Sequence, residues 1–268
     1  MRVAVCLFGE MRGNPEHWQD VYDKVVKPNN ADVFMHHTYY GDGVLNDLTY
    51  YQRLFMQEYH KGKSVHSYPP SDLFRIFNPK MVQSERKKKY PIETFDEIKH
   101  KINHWNSLPE TMIPHKQYWT DECTQMIYHG AMSQIESRKR VMQMKSQYER
   151  EQGFVYDVVI LTRLDMNLYE EIRIPTAPTG ICAHFHSAEQ VYECFIYGSS
   201  SAMNLFETYF DNLPRLWKQY CSTEHHLNQS EYFHLKYFQE LGVLIEKPPF
   251  KEYFDPTNRM NTNGLRRF

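Results

Sequence analysis

Two uninterrupted apolar runs constrain the fold of this chain more than any other feature of its sequence. One run is VAVCLF at residues 3–8, and the other is VVIL within the segment YDVVILT at residues 156–162. Neither run alternates apolar with polar residues, so each predicts a strand that is buried on both faces. Strands of that kind occur in parallel sheets that are covered by helices on both sides.

The first run opens a strand–helix–strand unit. A turn is predicted at residues 9–14, where Asn14 is a suitable N-cap and Pro15 a suitable first helical residue. Apolar residues then recur at helical spacing as far as residue 26, and residues 31–36 predict a second short strand. This order is typical of a βαβ unit.

The rest of the chain continues the alternation of strands and helices. Short helices and loops are expected at residues 40–80, with a weak strand at 80–83 and a long helix at 120–152. The later elements are predicted at residues 180–185, 192–198 and 243–245 for strands, and after 199–201 and from 228 to 242 for helices. The chain therefore predicts one domain, residues 1–268, with three layers (α/β/α) and a mostly parallel central sheet.

Composition excludes several classes of protein. The net charge is −2, from 31 basic and 33 acidic residues, whereas a nucleic-acid-binding protein usually carries a basic excess. The five cysteines are widely spaced without a CxxC pair, which favours reduced thiols over a zinc cluster or a disulfide framework. The first apolar run is too short for a signal peptide, and no run has the length of a transmembrane segment, so a cytoplasmic protein is expected, in the host cytoplasm if it is viral.

Asp165 and Arg163 follow the second buried strand directly, where open α/β sheets bind ligands. A carboxylate there suits Mg²⁺ or Mn²⁺, which bridge carboxylates to diphosphates. Arg163 would point to the same side and could bind phosphate with two hydrogen bonds. The alternative is a structural ion pair between Arg163 and a nearby acid.

The turn after the first strand, from Gly9 to Gly13, is a candidate anion site because backbone N–H groups at a helix start attract anions and Arg12 adds a charge. It has neither the G-x-G-x-x-G pattern nor a P-loop, so an ordinary turn is the alternative.

Polar residues on the long helix form another candidate set. Ser133, Gln134 and Arg138 could bind a nucleotide or sugar, although a solvated helix face is the expectation for such residues. The candidate bases for an acceptor hydroxyl are Glu193, Glu224 and Glu231. The remaining candidates are His184 and His186 as metal ligands, which are more often surface residues, and the basic run at 86–89, which is expected to be a solvated loop.

Five segments together resemble a family of glycosyltransferases found in bacterial polysaccharide clusters, large DNA viruses and phages. These segments are VAVCLFGEMRG, ADVFMHHTY, the pair SQ on the long helix, YDVVILTRLDM and ECFIYGSSSAMNLF. The resemblance covers about residues 1–38, 120–170 and 190–246. It implies a Rossmann-like fold of the GT-A type, with a nucleotide-binding half at residues 1–170 and an acceptor-side half at 171–268.

The resemblance also implies roles for individual residues. The segment from Phe8 through Gly9 to Arg12 would hold the nucleotide, and residues 194–201 would line the sugar site. Arg163 and Asp165 would occupy the D-x-D metal motif. The first acid of that motif is Arg163 here, which leaves one carboxylate and brings a charge that could itself neutralise a diphosphate.

The activity expected from the resemblance is transfer of a sugar from a nucleoside diphosphate sugar to a hydroxyl group of a glycan or polysaccharide acceptor, with Mn²⁺ or Mg²⁺ as cofactor. Two alternatives stay open. A sugar nucleotidyltransferase would need a Gly-rich phosphate loop with basic residues, of which only Arg12 is present. A non-catalytic module that binds carbohydrate or a partner would explain the missing acid.

Overall fold

The structure is a computed structural model that describes residues 1–10, 15–39, 70–86, 88, 90, 121–164, 166, 168, 170–187, 190–220 and 230–248. Five residues singled out from the sequence lie outside these ranges, as does most of the predicted loop region at 40–80; they are Arg12, Gly13, Asn14, Asp165 and Glu224. The side chains of His186 and Glu231 also lie outside the description.

The strands of the described residues form one seven-stranded sheet in the order β3-β2-β1-β4-β6-β5-β7. Their bounds are Val3–Glu10 (β1), Asp32–Tyr39 (β2), Met81–Arg86 (β3), Val158–Arg163 (β4), Ile181–Ser187 (β5), Gln190–Gly198 (β6) and Ile245–Glu246 (β7). Strands β1 to β4 are mutually parallel, β6 is antiparallel to both of its neighbours, and β7 is parallel to β5. The predicted mostly parallel sheet is confirmed.

Helices cover both faces of this sheet. Their bounds are Pro15–Val21 (α1), Pro70–Phe77 (α2), Asp121–Gln152 (α3), Ser200–Met203 (α4), Phe206–Tyr220 (α5) and Ser230–Glu240 (α6). After α1 the chain continues through a π-helical turn at Tyr22–Val26 and a 3₁₀ turn at Lys27–Asn29. In the described part of the chain, no helix combines the length and the apolar content that a membrane crossing requires.

Alternate side chains of β1 enter two separate cores, as the two-residue period of a strand requires. Ala4, Cys6 and Phe8 pack in the core that holds α3, α5 and α6. Val5 and Leu7, on the other side, pack in the core that holds α1 and α2. Burial on both faces explains why residues 3–8 are uniformly apolar, and it confirms the three-layer fold.

Strand β1 is longer than predicted, because it includes Gly9 and Glu10. The expectation of a turn beginning at Gly9 is therefore wrong. The reason is tertiary: β2 extends to Tyr39, and its pairing with β1 continues as far as Glu10 opposite Thr38. Gly9 adopts a φ of 106°, a backbone conformation that favours glycine.

The last strand also differs from its prediction, since it occupies Ile245–Glu246 and not residues 243–245. In the predicted helix at 228–242, the described residues are helical at Ser230–Glu240.

Candidate functional site

The carboxyl ends of β1 and β4 lie side by side near the middle of the sheet. Phe8 on β1 is in register with Arg163 on β4. From β1 the chain adds β2 and β3 on one side and then returns to place β4 on the other side, so the strand order reverses between β1 and β4. Open α/β sheets bind ligands in the crevice outside such a point. This carboxyl edge is the candidate functional site.

Strand β6 brings a third segment of the chain to this edge. Thr162 on β4 pairs with Phe195 on β6, and the Thr162 hydroxyl donates a hydrogen bond of 3.1 Å to the backbone oxygen of Cys194. The Arg163 guanidinium is half-buried, and its Nη1 lies 3.7 Å from the Cys194 sulfur. Three segments that are far apart in sequence, around residues 8, 163 and 194, therefore meet at one place.

Arg138 is the central charged side chain of a buried cluster at this edge. It is 0% exposed, and its guanidinium carbon lies 4.6 Å from the centre of the Phe8 ring, which packs against it. Its Nη1 donates a hydrogen bond of 2.9 Å to His234 Nε2, and its Nη2 lies 3.1 Å from Glu193 Oε2. Burial of this kind is costly unless the charge is compensated, and Glu193 supplies the opposite charge.

The expectation of a solvated helix face is wrong for Arg138 and for Ser133, both of which are buried. The reason is that α3 packs on β1 and β2 and also against α5, so more than one side of the helix is covered. The spacing of apolar residues along a helix does not reveal such burial when the polar residues pair with partners elsewhere in the chain.

Glu193, the candidate base, is 7% exposed and lies among side chains from two helices. Besides Arg138, Gln134 contacts it, since its Nε2 donates a hydrogen bond of 3.3 Å to Glu193 Oε1. His234 Nδ1 lies 3.7 Å from Glu193 Oε2. The candidate base Glu193 and two of the three candidate ligand-binding residues of α3, Gln134 and Arg138, thus belong to one cluster.

His234 completes the cluster and was not singled out from the sequence. It is fully buried on α6, and the Tyr209 ring stacks on it with centroids 4.1 Å apart. Burial raises the pKa of the Tyr209 hydroxyl well above its usual value, so this neighbour stays neutral. The sequence does carry a signal, because His234 stands in a stretch, YFHLKYF at residues 232–238, in which every other residue except Lys236 is aromatic or apolar. A polar residue on a buried helix face needs a partner.

The hydrogen-bond direction between Arg138 and His234 follows from their chemistry. A guanidinium has donors and no acceptor, so His234 Nε2 must accept, which places the imidazole proton on Nδ1. Among the described residues, Nε and Nη2 of Arg138 have no hydrogen-bond partner. Nη2 lies close to Glu193, but without the alignment of a hydrogen bond. The contact with Glu193 is ionic.

A second polar cluster joins β1, β2 and α3. The Gly9 backbone N–H donates a hydrogen bond of 2.9 Å to Ser137 Oγ, which in turn donates 3.0 Å to the backbone oxygen of His36. The amide that the sequence suggested for anion binding is therefore used within the protein. Burial lowers the pKa of His36, and burial lowers the pKa of His37 to about 4, so both imidazoles are neutral at neutral pH.

The remaining sequence candidates are less central. Lys88, from the run expected to be a solvated loop, donates a hydrogen bond of 2.7 Å to Glu136, which is itself buried. His184 lies half-buried on β5. Within the described ranges, no group of three or more His, Cys, Asp or Glu side chains could hold a metal ion. Because Asp165 lies outside those ranges, its role as a metal ligand stays a prediction.

Comparisons with known proteins add little to this picture. No protein-family model matches the chain, and no curated protein matches it. A solved structure named "PaToxG Glycosyltransferase" is similar with a TM-score of 0.39 and 13% identity, over 90% of this chain and 69% of that one. A likeness at that level carries no argument about the function of this chain, which has to be inferred from its sequence and its site.

Proposed function

We propose that this protein is a glycosyltransferase that moves a sugar from a nucleoside diphosphate sugar to a hydroxyl group of a glycan acceptor. The observation that carries the proposal is the meeting of three segments at the switch point of the sheet. Phe8 is in register with Arg163, and Arg163 contacts Cys194. The sequence resemblance assigns these three segments to the nucleotide, the diphosphate and the sugar, and donor binding requires them to be adjacent.

Arg163 would stabilise the departing diphosphate. In glycosyl transfer the bond between the anomeric carbon and the diphosphate oxygen breaks with its electron pair on that oxygen, and the acceptor oxygen bonds to the anomeric carbon. A fixed guanidinium at the strand end stabilises the negative charge that develops on the leaving group. The acceptor proton needs a base, and Glu193 is the candidate carboxylate at this edge.

The sequence at residues 163–165 lacks the first of the two carboxylates of a conventional D-x-D cation motif. Asp165 would supply one oxygen ligand for Mg²⁺ or Mn²⁺, but a positive charge stands two residues before it in the sequence. The part of the chain that the structure describes has no group of three or more His, Cys, Asp or Glu side chains that could hold a metal ion. The proposed chemistry therefore relies on the guanidinium, and the cation remains a prediction of the sequence.

A binding module without catalysis is the second candidate. Glu193 favours it, because a carboxylate that is 7% exposed and ion-paired with Arg138 is not open to an acceptor in this structure. Donor binding without donor consumption would separate this function from transfer.

The test is donor binding and turnover by wild type, Arg163→Ala and the matched control Arg173→Ala. Arg173 is exposed and pairs with Glu171 at 2.9 Å, and its neighbour Ile172 donates its backbone N–H to the backbone oxygen of Lys24, in the helical segment before β2. UDP, GDP, CDP and dTDP sugars are screened by thermal shift, with Mn²⁺ or with EDTA. A donor at about 100 times its Kd adds about 2.7 kcal/mol to the free energy of unfolding.

We expect one donor to stabilise the wild type and Arg173→Ala but not Arg163→Ala, and to be consumed by the first two only. Arg163→Lys should recover binding in part, because an ammonium keeps the charge and loses the bidentate geometry. Stabilisation without consumption would favour the binding module. If no nucleotide or nucleotide sugar stabilises the wild type, with Mn²⁺ present, the proposal is wrong.

A further inference from the structure

We propose that His234 is a positioning residue, which fixes the Arg138 guanidinium and through it the carboxylate of Glu193. The inference rests on the proposed function, in that Glu193 is the candidate base for the acceptor hydroxyl. His234 would touch neither the donor nor the acceptor, and its direct approach to Glu193 is the longer of the two contacts with Oε2, at 3.7 Å from Nδ1 against 3.1 Å from Arg138 Nη2. It acts on the reaction by holding the buried Arg138 guanidinium in one position.

Contacts with the Phe8 ring and with His234 determine how the Arg138 guanidinium is held. Arg138 is held on one side by the Phe8 ring at 4.6 Å, which limits its motion in one direction but does not fix its rotation in the plane. The hydrogen bond of 2.9 Å from Nη1 to His234 Nε2 fixes that rotation. Nη2 is thereby set 3.1 Å from Glu193 Oε2, although it makes no aligned hydrogen bond there. Without the acceptor on His234, only the ionic attraction of Glu193 itself would keep Nη2 toward that carboxylate.

Aromatic rings surround the His234 imidazole. The imidazole is fully buried and is itself fixed by Tyr209, which stacks on it with an interplanar angle of 28°, and by Phe206 and Phe238, whose centroids lie 5.6 and 5.9 Å away. A ring packed on several sides is a rigid acceptor. Such fixed supporting residues are what hold a reactive group in a productive orientation.

The contacts of Arg138 with Glu193 and His234 join three elements of the fold. Arg138 belongs to α3, Glu193 to β6 and His234 to α6, so three elements far apart in sequence share one pair of contacts. Gln134, one turn before Arg138, holds the other oxygen of the same carboxylate at 3.3 Å. Both oxygens of Glu193 are thus contacted by α3, and of Gln134 and Arg138 only Arg138 also pairs with His234 on α6.

The test compares His234→Gln with His234→Leu. The glutamine side chain offers an oxygen acceptor to Arg138, whereas leucine offers none. With the donor identified on the wild type, we expect His234→Leu to lower kcat about tenfold or more, the size of leaving one hydrogen bond to a charged group unmade, while the KM for the donor changes by less than about twofold. His234→Gln should recover most of the lost kcat.

A double-mutant cycle shows whether His234 acts through Arg138. In an Arg138→Met background, His234→Leu should lower kcat no further. Phe233→Leu is the matched control, because Phe233 is a fully buried neighbour on the same helix whose ring packs edge-on against Trp217. It should lower the melting temperature without changing kcat at a temperature at which all variants are folded.

One measurement needs no variant. ¹⁵N NMR of the histidine side chains in the wild type should show His234 protonated on Nδ1 and unprotonated on Nε2 at neutral pH, as an acceptor from Arg138 requires. A proton on Nε2 would overturn the proposal even if a variant failed to fold.

The kinetic outcomes separate this proposal from the one on which it rests. If the wild type consumes no donor, the proposed function fails and the role of His234 fails with it. If the wild type is active but His234→Leu behaves like Phe233→Leu, raises KM in place of lowering kcat, or is equally damaging in the Arg138→Met background, only the positioning role is wrong.

Discussion

Two lysines on α3 make ion pairs of similar length in different surroundings, and they allow a sharp prediction about stability. Lys145 Nζ lies 2.9 Å from Glu149, with side chains 0% and 8% exposed. Lys139 Nζ lies 2.6 Å from Asp211, with side chains 19% and 57% exposed. We expect Lys145→Met to lower the free energy of unfolding by about 3–5 kcal/mol, and Lys139→Met by less than about 1 kcal/mol.

The larger magnitude follows from what Lys145 leaves behind. Its ammonium donates to Glu149, to Ser200 Oγ at 2.7 Å and to Asn204 Oδ1 at 2.6 Å, so its three donors are all used. Without them, Glu149 keeps hydrogen bonds from the Tyr156 N–H and the Ser200 hydroxyl, both at 2.8 Å, but has no counter-charge. Methionine fills the space and cannot compensate a buried carboxylate, which is the costly outcome of breaking a buried pair.

The assay is urea unfolding followed by circular dichroism, with the midpoint and the m-value fitted for each variant. The double variant Lys145→Met with Glu149→Leu should regain most of the lost stability, because it removes both charges together. A loss below about 1 kcal/mol for Lys145→Met, or equal losses for the two lysine variants, would refute the argument that burial decides the value of these pairs.

Two other predictions concern glycines and pH. A Cβ at Gly198 would lie 2.7 Å from the Gly180 backbone oxygen, so Gly198→Ala should lower the free energy of unfolding by about 1–3 kcal/mol. A Cβ at Gly130 on α3 meets nothing within 4 Å, so Gly130→Ala should raise the free energy of unfolding by about 0.8 kcal/mol. Urea midpoints that do not differ in this order would contradict the packing argument. Burial lowers the pKa of His37 from 6.5 to about 4. Between these two pKa values the unfolded chain binds a proton that the folded chain does not. The free energy of unfolding should therefore fall by up to about 3 kcal/mol as the pH drops from 6.5 to about 4. His37→Gln, which keeps a partner for Ser84, should flatten this acid-side slope, and an unchanged slope would assign it to other groups.

The sequence predicted the parts of the fold that depend on local pattern. The apolar runs at 3–8 and 158–161 lie in the central strands β1 and β4, and the long helix predicted at 120–152 is α3 within one residue. Strand ends were predicted less well, because they depend on the neighbouring strand. Glu10 belongs to β1 since Thr38 of β2 pairs with it, and nothing in residues 9–14 alone reveals that partner.

The candidate site was predicted as a set of segments and not as a set of contacts. Glu193 was singled out as a base and Gln134 and Arg138 as ligand-binding residues, and in the structure Glu193 contacts both of them. His234 was missed because its partner Arg138 lies 96 residues away in the sequence, so periodicity has no access to the pair. Whether Phe8, Gly9 and Arg163 contact a donor stays a prediction.

The two buried cations on α3, Lys145 and Arg138, differ in how many of their hydrogen-bond donors have an acceptor. This difference distinguishes a side chain that stabilises the fold from a candidate for a functional role. Lys145 uses every donor it has, as a group that only stabilises the fold should. Arg138 is equally buried but leaves Nε and Nη2 without hydrogen bonds among the described residues, at the carboxyl edge, which is where open α/β sheets generally bind ligands. A buried guanidinium with unused donors lowers stability, so its presence at that edge calls for a reason other than stability. The proposed control of Glu193 by Arg138 and His234 is such a reason, and two buried cations about two turns apart on one helix would thereby serve different purposes.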